Sequence, residues 1–327
     1  TIDLLTTTAP NLDGDHLYKK LNPALGLTWQ VSPALNAYAG FSQGNRAPTP
    51  IELGCADPAN PCSLPNSMAS DPYLKQVVAR TLEAGLRGKL AGNMEWNAGV
   101  YRTVSSDDIL FVGTSTSAGY FTNFGQTRRQ GIELGLSGEQ GRVNWRINYS
   151  YLQATFQSEA CLLGANNSTR GTSAQCPITS PNEIYVQKGN RIPGLPAHSL
   201  KLAANWRASD SLHLGADIQA FSGQYARGNE NNQHQADGAN YLGSGRLPGY
   251  AILNLHGNLE LGAGWEMFAR LNNVFDKRYG TAAALAENPF DNNGTFQNDS
   301  NDWKSETFIA PGAPRAAWLG VRYRFGK

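Results

Sequence analysis

The chain has 327 residues, with 27 Lys+Arg against 26 Asp+Glu, 16% charged, 40% hydrophobic, 35 Gly and four Cys. A net charge of +1 and a pI near 7.6 exclude the basic excess that a nucleic-acid footprint requires, so no nucleic-acid partner is expected. No stretch approaches 18 consecutive apolar residues, which excludes a helical membrane span but not a barrel of alternating strands. Residue 1 opens no signal peptide, and Thr1-Ile2-Asp3-Leu4-Leu5 reads as the middle of a pattern, like a segment of something longer.

In chain order the apolar residues follow a period of two. Leu82, Ala84, Leu86 and Leu90 oppose Thr81, Glu83, Arg87 and Lys89. Val143, Trp145, Ile147, Tyr149 and Tyr151 oppose Asn144, Arg146, Asn148 and Ser150. Leu200, Leu202, Ala204 and Trp206 share one face, and so do Leu253, Leu255, Leu259 and Leu261. Successive side chains of a strand point to opposite faces, so this period predicts an all-β protein. About eleven long strands are expected, at 18–31, 33–45, 77–90, 92–112, 119–138, 142–158, 195–208, 211–227, 247–260, 264–280 and 313–325, with 1–6 as the stub of another. Many run to twice the ~5–6 residues of a globular strand and match the ~9–11 tilted residues that cross a membrane.

The connections sort by length. Tight turns at Ser32-Pro33, Ala91-Gly92, Glu139-Gln140-Gly141, Ser209-Asp210 and Gly262-Ala263 alternate with long excursions at 46–76, 159–194, 228–246 and 281–312, and a shorter one at 113–118. All tight turns therefore fall on one rim and all long loops on the other, the asymmetry of an antiparallel transmembrane β-barrel with short periplasmic turns and long extracellular loops. A soluble sandwich has no reason to sort its loops in this way. A charge facing lipid at mid-membrane costs ~2–4 kcal/mol. The polar stripe (Glu83, Arg87, Lys89, Glu133, Arg146, Lys201, Asp217, Glu260, Arg270, Arg322, Arg324) is therefore expected inside and the apolar stripe against lipid. Trp29, Trp96, Trp206, Trp265, Tyr323 and Phe325 suit an interfacial girdle.

Motifs in order then become specific. Asn45-Arg46-Ala47-Pro48-Thr49, Ile51-Glu52-Leu53 and the run from Leu74 to Gly88 resemble the barrel of TonB-dependent outer-membrane receptors. So do Phe121 to Gly125 followed by Arg129 to Leu134, Gly189 to Gly194 with Pro196, Leu247 to Tyr250, Asn272 to Tyr279, and Pro311 to Arg315 leading to Arg322-Tyr323-Arg324-Phe325. The resemblance covers nearly the whole chain. It implies a barrel of about 22 strands filled by an N-terminal plug, located in the outer membrane of a Gram-negative bacterium. Its implied activity is energised uptake of a scarce nutrient, most often a ferric siderophore, driven by the TonB complex through a TonB box. Haem, cobalamin or another large cofactor are alternatives within the class, and a passive porin-like barrel is the alternative outside it. Residues 1–327 are expected to be the C-terminal half of such a barrel, about 11–12 strands, with neither plug nor TonB box among them. Open sheet edges are not tolerated in lipid, so a missing N-terminal half is expected to pair with them. The family ends at an aromatic residue; Phe325 fits, and Gly326-Lys327 extends past it.

The cysteines fall in two loops, Cys55 and Cys62 in one and Cys161 and Cys176 in the other. Three connectivities are open; pairing within each loop is geometrically simplest and suits an oxidising compartment. The spacings lack the usual C-x₂₋₄-C of a zinc site. His16, His198, His213, His234 and His256 are scattered, so neither metal nor cofactor is expected. Asp107 and Asp108 are strand neighbours that point apart, and no nucleophile elbow or phosphate loop occurs; an enzyme is not expected. By resemblance, ligand contacts come from loop and lumen residues near the outside. The loop 228–246 offers Asn231, Asn232, His234 and Tyr241, flanked by Tyr225, Arg227 and Arg246, a basic and aromatic set suited to an anionic ferric chelate. The expected partners are outer-membrane lipid, the TonB complex and the small-molecule ligand, with the protein a monomer.

Overall fold

A computed structural model describes residues 14–63, 72–91, 93–113, 118–177 and 181–325. Eleven strands form one sheet: β1 (Ala24–Ser32), β2 (Leu35–Arg46), β3 (Val77–Leu90), β4 (Met94–Ser106), β5 (Gln126–Gln140), β6 (Val143–Phe156), β7 (His198–Arg207), β8 (Leu212–Phe221), β9 (Tyr250–Gly262), β10 (Trp265–Asn272) and β11 (Ala316–Tyr323). Each pairs antiparallel with the next in sequence, and the sheet ends on β1 and β11 without closing. The expected partial barrel is present. The stub at 1–6 and Gly326-Lys327 lie outside the described residues.

Register turns the alternation into two continuous surfaces. Leu27 pairs with Ala39 and Ala39 with Ala84. The row continues through Val100, Ile132, Tyr151 and His198. Residues directly opposite in a ladder share a face, so one apolar stripe runs across all eleven strands. Its large side chains stand exposed, as at Leu82, Leu86, Leu134, Leu255 and Leu319. Such exposure would be untenable in water over so wide a patch, but it suits a surface solvated by lipid. All eleven polar residues assigned to the interior lie on the other face, where Arg322 and Arg324 both reach Glu266, at 3.7 and 2.8 Å. The girdle aromatics Trp29, Trp96, Trp206, Trp265, Tyr323 and Phe325 sit on the apolar face near the tight turns, where Tyr323 meets Trp265 at a tilt and Phe325 edge-on. On the polar face the Tyr38 ring lies across Gly85 and Gly99, where any Cβ would collide with its hydroxyl.

Several strands stop earlier than the alternation suggests. The segment 92–112 breaks after Ser106, because Asp107 adopts a left-handed φ of 53°. Residues Ile109–Gly113 then pair with Ala118–Asn123 as a separate hairpin. The segment 119–138 breaks at Gly125, φ 84°, so β5 begins at Gln126. The first strand begins at Ala24 rather than 18. β8 ends at Phe221 rather than 227, and β10 at Asn272 rather than 280. There Asn273, φ 49° and buried, replaces the ladder with its own amide: Nδ2 donates to Lys277 O and Ala313 O, and Oδ1 accepts from Lys277 N. At Asp107 and Gly125 left-handed backbone ends the ladder, and at Asn273 the side-chain amide takes over the backbone's partners.

Candidate functional site

The long connections (47–76, 107–125, 157–197, 222–249 and 273–315) all leave the sheet on one rim and carry most of the fully buried side chains among the described residues. The first begins with a capping box. Thr49 Oγ1 accepts from Glu52 N, and the Glu52 carboxylate accepts from Thr49 N and, at 2.6 Å, from Arg46. Burial alone would raise the Glu52 carboxyl; the Arg46 guanidinium and Thr49 groups outweigh it and hold it below the usual carboxylate range. Cys55 and Cys62 are bridged, with Cα atoms 5.4 Å apart, and Cys62 pairs with Gly119 of the second connection. Ala56, Leu74, Val77 and Ile109 bury one small core between these two connections.

In the third connection, strands Ala160–Leu163 and Glu183–Val186 form a hairpin. The Cys161–Cys176 disulfide spans 15 residues, a closure worth about 3 kcal/mol in the chain-entropy picture. Ile184 and Val186 are wholly buried against Phe124 and Phe156. In the fifth, Gly280–Asn288 pairs with Lys304–Pro311.

The fourth connection holds these together through buried amides. Asn167 Nδ2 donates to Gly228 O and Asn231 Oδ1, and Asn231 Nδ2 donates to Thr169 Oγ1 at 2.7 Å. Asn232 exchanges bonds with the Arg191 backbone, Nδ2 to O at 3.0 Å and N to Oδ1 at 2.5 Å. Ser168 N donates to His234 Nδ1 at 3.0 Å, so Nδ1 carries no proton and Nε2–H donates to Gly243 O at 2.9 Å. On the far side Leu285 N donates to Arg227 O and Arg227 N donates to Ala283 O, and Gly245 N donates to Thr307 Oγ1. Desolvation lowers the His234 pKa, opposed by its bond to Gly243 and by Asp237. Burial pushes Glu230 up, although Gly228 N and Arg227 oppose it.

The structure thus divides the seven candidate residues. Asn231, Asn232 and His234 spend their polar atoms joining the third connection to the fourth. Tyr241 stands edge-on to His234 at 5.7 Å, and its backbone bridges to Ser305. Tyr225, Arg227 and Arg246 keep accessible polar groups: Arg246 lies over the Tyr225 ring at 4.4 Å, and Arg227 over Phe111 at 5.6 Å. Phe111 in turn meets Phe121 edge-on at 5.0 Å. This basic–aromatic group spans connections more than a hundred residues apart, and Phe111, read as strand interior from its alternation, had no local signal to place it there. Asn167 and Asn229 were equally invisible, since an Asn in a loop reads as solvated until its partners are known. Cys161, Cys176 and Glu183 are close together, but the two sulfurs are already bonded to each other and offer no thiolate to a metal.

The family model described as "TonB dependent receptor-like, beta-barrel" matches residues 3–274. Among curated relatives, the "Probable TonB-dependent siderophore receptor PiuA" of Acinetobacter baumannii is 22% identical over 260 residues, which cover 79% of this chain and 30% of that protein. The "Ferric-pyoverdine M114 receptor PbuA" of Pseudomonas sp. (strain M114) is 25% identical over 211 residues, or 63% and 22%. The chain therefore spans less than a third of the length of these relatives. Among solved structures, PiuA of Acinetobacter baumannii superposes with a TM-score of 0.59 at 18% identity, covering 92% of this chain and 35% of that one. The ferric yersiniabactin uptake receptor FyuA of Yersinia pestis gives 0.57 at 16%, covering 91% and 36%. Open sheet, sorted loops, two-faced strands and ordered motifs agree with that match: the chain belongs to the TonB-dependent receptor β-barrel family, whose barrels lie in the outer membrane of Gram-negative bacteria.

Proposed function

We propose that residues 1–327 form the C-terminal portion of the barrel of a TonB-dependent receptor that imports a ferric siderophore. In this reading the plug and TonB box belong to the polypeptide that precedes them. One observation carries the reading: a membrane-length antiparallel sheet of eleven strands has both edges unpaired, while its matched relatives are about three times as long and are named for siderophore or ferric-pyoverdine reception. Backbone edges cannot stay open in lipid, so further strands must complete the wall. The protein is a transporter in this reading rather than an enzyme, and it works as a monomer embedded in lipid.

The mechanism follows from the rim. The packed connections make a rigid collar, and Arg227 and Arg246 with Phe111, Phe121 and Tyr225 supply positive charge and aromatic faces to a bulky anionic chelate. Binding there is followed by movement of the plug under TonB and release into the periplasm. The test is uptake of radiolabelled iron by a strain lacking the gene, complemented with wild type or with R227Q/R246Q. Wild type restores siderophore-dependent uptake and the double variant lowers it at limiting ligand. Uptake of haem or cobalamin, with none of any iron chelate, overturns the siderophore assignment.

A further inference from the structure

The membrane-facing stripe carries formal charge at only three positions along the eleven strands: Arg80, Arg102 and Arg128. All three are arginine, and no acid shares their face. They occupy consecutive strands β3, β4 and β5, each within the outermost five residues on the long-loop side. Arg80 and Arg128 both pair with Val104, and Arg102 sits one row below between them. At ~4.8 Å between strands the three arginines arise from a patch of backbone about 10 Å wide.

These arginines are unspent. Arg80 Nε donates to Gln43, and among the described residues its terminal nitrogens have no partner. Among the described residues neither the Arg102 nor the Arg128 guanidinium forms a hydrogen bond or ion pair, and Arg128 Nε is enclosed with no partner. The polar face does the opposite and pairs charges of both signs, as at Glu266. Below the patch an open groove of about 440 Å³ cuts into the apolar face, walled by Leu82, Ala84, Val100, Ile132 and Tyr151, with Arg102 and Gln130 at its upper end. Its volume falls in the ~300–1,000 Å³ range of small-molecule clefts.

We propose that this surface binds a phosphorylated, acylated glycolipid of the outer leaflet, phosphates on the arginines and one acyl chain in the groove. Charge complementarity selects a lipid with anionic groups on its head. The depth selects the leaflet, because the patch lies toward the long loops, which face the exterior. The spread over three strands selects a head with more than one phosphate, since a single phosphodiester reaches only part of it. The inference goes beyond nutrient uptake and rests only on the outer-membrane location.

The test uses the full-length receptor, delipidated in detergent and titrated with diphosphorylated lipid A, with bound lipid counted by native mass spectrometry. Wild type binds saturably, and weakly to dephosphorylated lipid A or phosphatidylethanolamine. A basic residue at a charged membrane surface is worth about five-fold in affinity, so R80Q/R102Q/R128Q loses on the order of a hundred-fold. R87Q, which removes a charge from the polar face of the same strand, binds as wild type. Ala84→Phe, which fills the groove, weakens binding with the arginines intact. Heat-modifiable migration shows that each variant is folded; if the triple variant fails this, R102Q alone, expected to lose about five-fold, takes its place. Unchanged binding in the arginine variants, equal binding of dephosphorylated lipid, or an equal loss in R87Q overturns the proposal.

Discussion

At the scale of the residue, the collar depends on side chains whose chemistry is ordinary and whose placement is not. His234 is held as the Nε2–H tautomer by two backbone partners, and burial keeps its pKa below the ordinary value. Its folded pKa lies under the unfolded value of about 6.5, so the unfolded chain takes up the proton first and stability falls as pH drops below that point. Protonation also removes the acceptor that Ser168 N uses. The protection factor of the Ser168 amide, taken relative to its intrinsic exchange rate at each pH, is therefore expected to fall as pH drops below about 6.5 in wild type, with His234→Gln abolishing that fall. A protection factor that is flat with pH in wild type would refute the latch. The sequence showed His234 as one of five scattered histidines; its partners lie 66 residues upstream and nine downstream, beyond any local pattern.

Elements are set by the period of two, and their two faces have different solvents. Leu202 and Ala203 are neighbours on β7, yet Leu202 pairs with Ile147 and Ile218 on the apolar face and Ala203 with Arg146 and Asp217 on the polar one. An arginine at Leu202 should cost about 2–4 kcal/mol if it sits near the membrane midplane, whereas one at Ala203 should cost little. Denaturant titration of the refolded barrel in lipid vesicles measures both; equal costs would mean that the faces are assigned wrongly. Strand ends were less legible than faces. Alternation continues through 107–112 and 119–124, but Asp107 and Gly125 take left-handed backbone, and the intervening chain folds back on itself as a rim hairpin. The contest between ladder and loop is decided by positive-φ residues and by hydrogen-bond partners elsewhere in the chain.

For the whole molecule, the unclosed sheet sets the behaviour. Residues 1–327 expressed alone present two strand edges that lipid cannot solvate. They are expected to give aggregate with no heat-modifiable band, and co-expression with the N-terminal half proposed above should restore it. A stable, heat-modifiable monomer from residues 1–327 alone would show that these strands close by themselves. By itself the sequence determined the strand period, the two faces, the sorting of connections by rim and the ordered family motifs, because each depends on neighbours a few residues apart. Only the tertiary structure decided which loop residues are spent and which are free. It turned Asn231, Asn232 and His234 into fasteners, set Phe111 beside Arg227, and gathered Arg80, Arg102 and Arg128 on one outward patch. Those outcomes depend on strand register and on contacts between distant loops, where a one-residue slip would move every side chain to the opposite face.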